Sequence, residues 1–220
     1  MRGPGARPGL RAVGDTGLLL DCAGLDDVRR WWRALATDRP PGVVDLVPGA
    51  STLLVRVPAG TDLTALARAV LARQPTGDGG PVTGDAPTEV AEAPLEVVLG
   101  VRYDGPDLAA VAEHTGLTPA EVVAAHVGTP WRVAFLGFAP GFGYLTGGDP
   151  RLDVPRREHP RERVPAGAVA LAGGFSAVYP RGTPGGWQLV GRTDAVLWDV
   201  GREPAALLRP GVVVRFEQVG

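Results

Sequence analysis

Lysine is missing from the 220-residue chain, and all 22 basic side chains are arginine. This excludes Schiff-base chemistry on lysine and the phosphate-binding lysine of a P-loop. ATP would need another phosphate cradle or another subunit. Cysteine occurs once, as Cys22, which excludes an intramolecular disulfide, a cysteine-based zinc site and a CxxC redox pair. Cys22 follows the apolar run Leu18-Leu19-Leu20, so a buried, inert thiol is expected there rather than a nucleophile. The three histidines, His114, His126 and His159, show no metal-ligand spacing. A net charge of −2 gives no field that would draw nucleic acid or an anionic membrane. No apolar run is long enough to cross a bilayer, and Met1-Arg2-Gly3-Pro4-Gly5 lacks the apolar core of a signal peptide. The expectation is a soluble, cytoplasmic protein with no metal and no membrane or nucleic-acid partner.

Hydrophobic residues, at 45%, are ample for a sizeable core, while 32 glycines and 22 prolines point to tight turns and short strands. Residues 1–9 read as a disordered Gly/Pro/Arg tail. Residues 10–73 read as a small α+β domain. It has a strand over Leu18–Asp21, a helix over Asp26–Ala36 with Leu25, Val28, Trp32 and Leu35 on one face, and a hairpin turning at Pro48-Gly49-Ala50-Ser51. A second helix is N-capped by Thr61. The β-α-β-β-α order suits a ferredoxin-like arrangement. Residues 74–93 are a Gly/Pro-rich acidic linker. Residues 94–220 start with a strand over Leu95–Val101 and two short helices. Thr118, Pro119 and Glu121 form a capping box on the second helix, and Gly116 and Gly128 sit where helices end. Short strands follow at Arg132–Leu136, Ala168–Ala172, Trp187–Gly191, Val196–Asp199 and Val212–Glu217, spaced as in a β-barrel.

The helix pair resembles a helix-turn-helix in spacing. Between Asp104 and Val127, however, there are four carboxylates and no arginine, so a structural αα-hairpin is expected rather than a DNA reader. His126 closes the second helix, where capping and proton transfer at the mouth of a site explain it equally well. Glycine, proline and aromatics alternate in Gly137-Phe138-Ala139-Pro140-Gly141-Phe142-Gly143-Tyr144. Such a loop brings backbone N–H groups to a ligand and walls it with rings, or folds its rings into the core. Pro155-Arg156 and Pro160-Arg161 hold arginines on stiff loops, suited to a carboxylate, a phosphate or an interface. Arg157 and Arg163 fit surface pairing with Asp153, Glu158 or Glu162. Tyr179-Pro180 and the run from Pro184 to Thr193 complete the block. There Gly185-Gly186 allows an unusual turn, and Trp187 either stacks on a ligand or plugs a barrel end.

The order and spacing of these motifs resemble one family. They are His126, Phe135-Leu136-Gly137-Phe138, Pro140 to Leu145, Pro155-Arg156, Pro160-Arg161, Val164 to Gly167, Tyr179-Pro180 and Pro184 to Thr193. The chain resembles the KipI-type family, also called allophanate hydrolase subunit 1 or the B subunit of 5-oxoprolinase (PxpB). Val13-Gly14-Asp15 and Val47-Pro48-Gly49 extend the similarity over nearly the whole chain. The resemblance implies a small α+β domain followed by a cyclophilin-like β-barrel. It implies partner subunits C and A, and ATP-dependent opening of 5-oxo-L-proline to L-glutamate. ATP would be held on another subunit, with no intrinsic cofactor here, and the chain would be inactive alone.

On this reading His126 serves proton transfer or orientation, and Arg156 and Arg161 bind the substrate carboxylate or a phosphate. Backbone amides around Gly141 and Gly143 face the oxyanion. Phe138, Pro140, Phe142, Tyr144, Tyr179, Gly185, Gly186, Trp187 and Arg192 line the substrate. Two alternatives come with the resemblance: half of a biotin-dependent carboxyltransferase acting on urea or an amine, and a non-enzymatic inhibitor of a sensor histidine kinase. One segment departs from the family pattern. Phe175-Ser176-Ala177 stands where Gln, then Thr or Ser, then Gly is expected, so a different substrate preference is expected if that Gln touches substrate.

Overall fold

The computed structural model describes residues 9–75 and 95–220. They fall into two compact units, one in each stretch. The expected tail and linker lie outside the described residues, apart from Gly9, Gln74 and Pro75; Gly9 opens a strand.

The first unit has β1 (Gly9–Ala12), β2 (Gly17–Asp21), α1 (Leu25–Thr37), β3 (Asp45–Pro48), β4 (Thr52–Arg56) and α2 (Leu63–Leu71). Its sheet runs β1-β2-β4-β3, antiparallel throughout. The β-α-β-β-α order is present as β2 to α2. The fourth sheet position is taken by β1, from the N-terminal side, which short polar Gly-Leu-Arg-Ala did not signal. Leu18, Leu20, Leu53 and Val55 alternate into the core, as a half-buried sheet requires. On α1 the buried residues are Val28, Trp31 and Leu35, not Trp32; the i, i+3, i+7 spacing puts Trp31 at the centre of the stripe. Asp62, rather than Thr61, caps α2. Its carboxylate accepts from the N–H groups of Thr64 and Ala65 at 2.9 and 3.0 Å, while the Thr61 hydroxyl donates to Pro58 O. The Cys22 thiol is half-buried, and burial together with the charges of Asp27 and Asp21 pushes its pKa up to about 12.

The second unit begins with β5 (Glu96–Val101), α3 (Leu108–Thr115) and α4 (Pro119–Gly128). Next come β6 (Trp131–Leu136), β7 (Gly143–Thr146), a 3₁₀ turn (Pro150–Leu152), β8 (Arg161–Val164), β9 (Ala168–Ala172) and β10 (Phe175–Val178). β11 (Thr183–Gly185), β12 (Gln188–Arg192) and β13 (Val213–Gln218) complete it. Thr118 and Glu121 form the expected capping box, and Gly116 ends α3 at φ 71°. Gly128 instead lies within α4, which is closed by Thr129. Val196–Asp199 makes one bridge, Trp198 with Ala206, and no strand.

Seven strands form one sheet in the order β12-β9-β10-β7-β6-β13-β5. Its two ends meet: just past β5, Arg102 exchanges both backbone hydrogen bonds with Arg192 at the end of β12, each 2.9 Å. The sheet is thus a nearly closed barrel. Glycine is needed at this seam, because a Cβ on Gly191 would strike Arg102 O and one on Gly105 would strike the Leu189–Val190 backbone. No helix among the described residues is long and apolar enough to cross a membrane.

β9 shows how the wall is built. Every residue of Ala168-Val169-Ala170-Leu171-Ala172 is buried. Val169 and Leu171 join the interior core with Leu99, Val133, Leu145 and Phe216. Ala168, Ala170 and Ala172 belong to a second cluster, on the other face, with Phe142, Tyr179 and Trp187. Large residues fill the barrel and small ones leave room for rings outside it.

Candidate functional site

The chain has five Trp, three Tyr and five Phe. Seven of these thirteen rings gather on the outer face of β6, β7, β9 and β10. Phe142 is edge-on to Tyr179 (5.2 Å between centroids), Trp187 (5.7 Å) and Tyr144 (5.1 Å). Phe135 stacks on Tyr144 at 4.4 Å, and Phe175 meets both edge-on at 6.0 and 5.8 Å. Each such pair contributes about 0.5–1.5 kcal/mol beyond area burial. Phe142, Tyr179 and Trp187 are buried and form the floor, while Phe138 is 58% exposed above it. Trp187 is therefore part of an outer aromatic layer, not a plug at a barrel end.

Phe138 is held in an unusual backbone. Its φ is +65°, the one positive value among described non-glycine residues. Ala139 N–H donates to Gly137 O at 2.7 Å across it, closing a γ-turn. Such a turn is strained for any residue with a Cβ, by about 1–3 kcal/mol. Phe138→Gly, which relieves the strain, is expected to be more stable than Phe138→Ala, which keeps it, by about 1 kcal/mol. Thermal melts of the two variants test this; an alanine variant as stable as the glycine one would show that the turn is unstrained.

Gly141 and Gly185 serve close packing around this face, whereas a Cβ on Gly143 or Gly186 would make only ordinary contacts. A Cβ on Gly141 would meet Trp198 Cβ at 2.9 Å, and one on Gly185 would collide with the Tyr179 hydroxyl. Phe142 N–H is committed to Ala139 O, and Gly143 lies in β7 paired with Leu136. The side-chain hydroxyls on this face are those of Tyr144 and Tyr179. Burial raises both pKa values, partly opposed at each by the nearby positive charge of Arg156. Both stay protonated at neutral pH. Pro140, beside Phe138, is exposed.

The arginines divide. Arg156 is exposed and makes no ion pair among the described residues. Arg161 is held by Asp107, Nη2 to Oδ1 at 2.7 Å, while its Nη1 is buried with no hydrogen-bond partner among them. Arg157 also binds Asp107 Oδ1 at 2.7 Å, rather than the nearby carboxylates expected from sequence. Arg192 stands apart, paired with Asp104 beside the barrel seam.

His126 lies inside the barrel, 0% exposed, and so is not at the mouth of a site. Its Nδ1 is 2.7 Å from the Tyr103 hydroxyl and its Nε2 2.9 Å from Ser176 Oγ. The ring stacks on Phe216 at 4.3 Å, and Trp131 Nε1–H donates to His126 O. Burial pulls its pKa down to about 3, so the ring is neutral at pH 7. On β10 Ser176 points inward to this histidine, while its neighbours Phe175 and Ala177 belong to the outer aromatic cluster. The barrel wall thus separates His126 from the aromatic face. Ser176 and Phe135 fall in segments that the sequence singles out, whereas Asp107 and Tyr103 carry no site signal there, because their partners Arg161 and His126 are distant in sequence.

A family model for the carboxyltransferase domain, subdomains C and D, matches residues 8–208. The B subunit of 5-oxoprolinase from Escherichia coli O157:H7 is 40% identical over 210 residues, covering 93% of each chain. Among solved structures, TTHA0988 superposes with a TM-score of 0.69 at 34% identity over 96% of this chain, which spans 40% of that longer one. Urea amidolyase of K. lactis gives the same TM-score at 16% identity, over 96% of this chain and 15% of its own, a likeness of fold alone. The chain belongs to the KipI-type family, that of the 5-oxoprolinase B subunit (PxpB), whose members carry the carboxyltransferase domain, subdomains C and D.

Proposed function

We propose that this chain is the B subunit of an ATP-dependent 5-oxoprolinase complex that opens 5-oxo-L-proline to L-glutamate. The observation that carries this is 40% identity over 93% of both chains to a protein of that name. Water adds across the lactam C–N bond while ATP is hydrolysed. With no lysine and so no P-loop, ATP sits on another subunit, and subunits A and C complete the machine in the cytoplasm. The finer architecture goes with this reading. The seven strands closing at Arg102 and Arg192 suit a cyclophilin-like barrel, and the β2-to-α2 order suits a ferredoxin-like first unit.

This chain's share is binding and polarisation. Arg156 and Arg161 take the substrate carboxylate, and Phe138 covers the apolar ring. The Tyr144 and Tyr179 hydroxyls donate to the amide oxygen as negative charge grows on it. His126 acts by orientation: it holds Ser176, and through Ser176 the strand that carries Phe175 and Ala177. Arg192 supports the seam. Phe175 gives this face an aromatic wall where the family pattern has an amide, so the preferred lactam is one that tolerates an apolar neighbour.

Co-expression with the neighbouring genes should yield a complex releasing glutamate only when both ATP and 5-oxoproline are present. Omission of this chain should abolish release. An intact complex that releases none would falsify the assignment. The carboxyltransferase alternative leans on the name of the matching family model and on fold likeness at 16% identity, neither of which identifies a reaction.

A further inference from the structure

We propose that Asp107 is a positioning residue for substrate binding, fixing the Arg161 guanidinium so that its free edge receives the substrate's carboxylate. The inference rests on the functional reading above and adds a residue to it.

Asp107 is 3% exposed and sits at the start of α3, yet it caps nothing there. Oδ1 takes Arg161 Nη2 and Arg157 Nη1, each at 2.7 Å, and Oδ2 takes the Leu189 backbone N–H at 2.7 Å. A buried carboxylate is costly unless paired and hydrogen-bonded in this way. Burial alone would raise its pKa, but the Arg161 and Leu189 hydrogen bonds and the two arginine charges outweigh that and hold it below the usual carboxylate range.

The geometry at Arg161 is what makes this more than a structural pair. A guanidinium presents donors along fixed directions in one plane. With Nη2 committed to Asp107, one donor direction is set and Nη1 is left buried and unpartnered. The Arg161 side chain is still 21% exposed, and an incoming carboxylate would approach from that side, next to the donor whose isolation is otherwise a cost. The charges of Arg156 and Arg161 both lower the pKa of the Tyr179 hydroxyl, so both cations lie within electrostatic reach of it. The loop bearing Arg156 is fastened to the β11–β12 turn by Arg157 N–H to Gly186 O at 2.8 Å and to β12 by Gln188 Nε2–H to Pro155 O at 3.1 Å.

Asp107→Asn keeps an oxygen for the Leu189 N–H and removes the charge that orients Arg161. In the co-expressed complex its KM for 5-oxoproline should rise about tenfold with kcat within about twofold, the pattern of lost binding remote from the reacting bond. Arg161→Ala should raise KM at least as much. The double variant should be no worse than Arg161→Ala alone, because Asp107 acts through Arg161. A merely structural aspartate would instead multiply the two effects, and that result overturns the proposal. So does an unchanged KM in either single variant; Arg161→Ala keeps the test open if Asp107→Asn fails to fold. A wild-type complex with no turnover would sink the functional reading along with this inference, whereas turnover with unchanged variant kinetics overturns the inference alone.

Discussion

Replacing Arg156 with alanine is expected to lower kcat/KM of the assembled complex for 5-oxoproline by about 10- to 100-fold, the range of a lost charge-assisted hydrogen bond. Arg156 is the exposed cation of the aromatic face, close enough to bear on the Tyr144 and Tyr179 hydroxyls. It has no ion pair among the described residues to release first. Most of the loss should fall on KM. Arg156→Lys should recover only part of it, since an ammonium cannot offer a two-pronged fork to a carboxylate. Melting of the variant should match wild type within about 0.5 kcal/mol, as for other exposed substitutions. Steady-state kinetics and a melt decide the matter together. Wild-type kinetics would remove Arg156 from the site, and a collapsed melt would mean that its role is structural.

The second large effect concerns stability in acid. His126 is neutral in the folded chain because burial pulls its pKa down to about 3, while an unfolded histidine titrates near 6.5. Below about pH 6.5 the unfolded state therefore binds a proton that the folded state refuses. Stability is complete above that pH and is lost as pH falls toward the folded value, by about 1.4 kcal/mol per pH unit. Between about pH 7.5 and 5.0 this amounts to about 2 kcal/mol. His126→Gln, which carries no titrating ring, should lack that share of the loss. It should also cost about 2–4 kcal/mol at about pH 7.5, because Tyr103, Ser176 and Phe216 lose a fitted partner. Asp107 does not confuse the comparison: its lowered pKa makes its contribution fall away only below about pH 4. Urea unfolding of wild type and variant at the two pH values is the measurement. Equal pH slopes would show that His126 is not held neutral by burial.

Much of this site was legible as segments. The Gly137–Tyr144 loop, the Pro-Arg pairs and the Gly185-Gly186-Trp187 turn stand out because their residues are rare and their constraints local. A proline sets its own φ, and a glycine admits a close neighbour wherever the chain puts it. The Thr118–Glu121 capping box and the Gly116 helix end were legible for the same reason. Boundaries failed where two local options compete: Asp62 displaced Thr61 as a cap, and Trp31 displaced Trp32 in the core. Strands as short as β1, β8 and β11 have too few residues for alternation to speak.

What no local pattern could give was the side of the wall. In Phe175-Ser176-Ala177 alternation says that Ser176 faces away from its neighbours, but not that its side is the barrel interior. Only the rolled sheet decides that, and it puts His126 with Ser176 inside and the aromatic floor outside. Likewise Asp107 meets Arg161 across 54 residues, a pairing set by the seam where β5 returns to β12. The sequence by itself determined the motif block, the family and the conditions that its glycines and prolines impose. The tertiary structure alone decided which groups share a face. Strand pairing is long-range and cooperative, so a side chain's neighbours are chosen by the whole sheet rather than by its place in the chain.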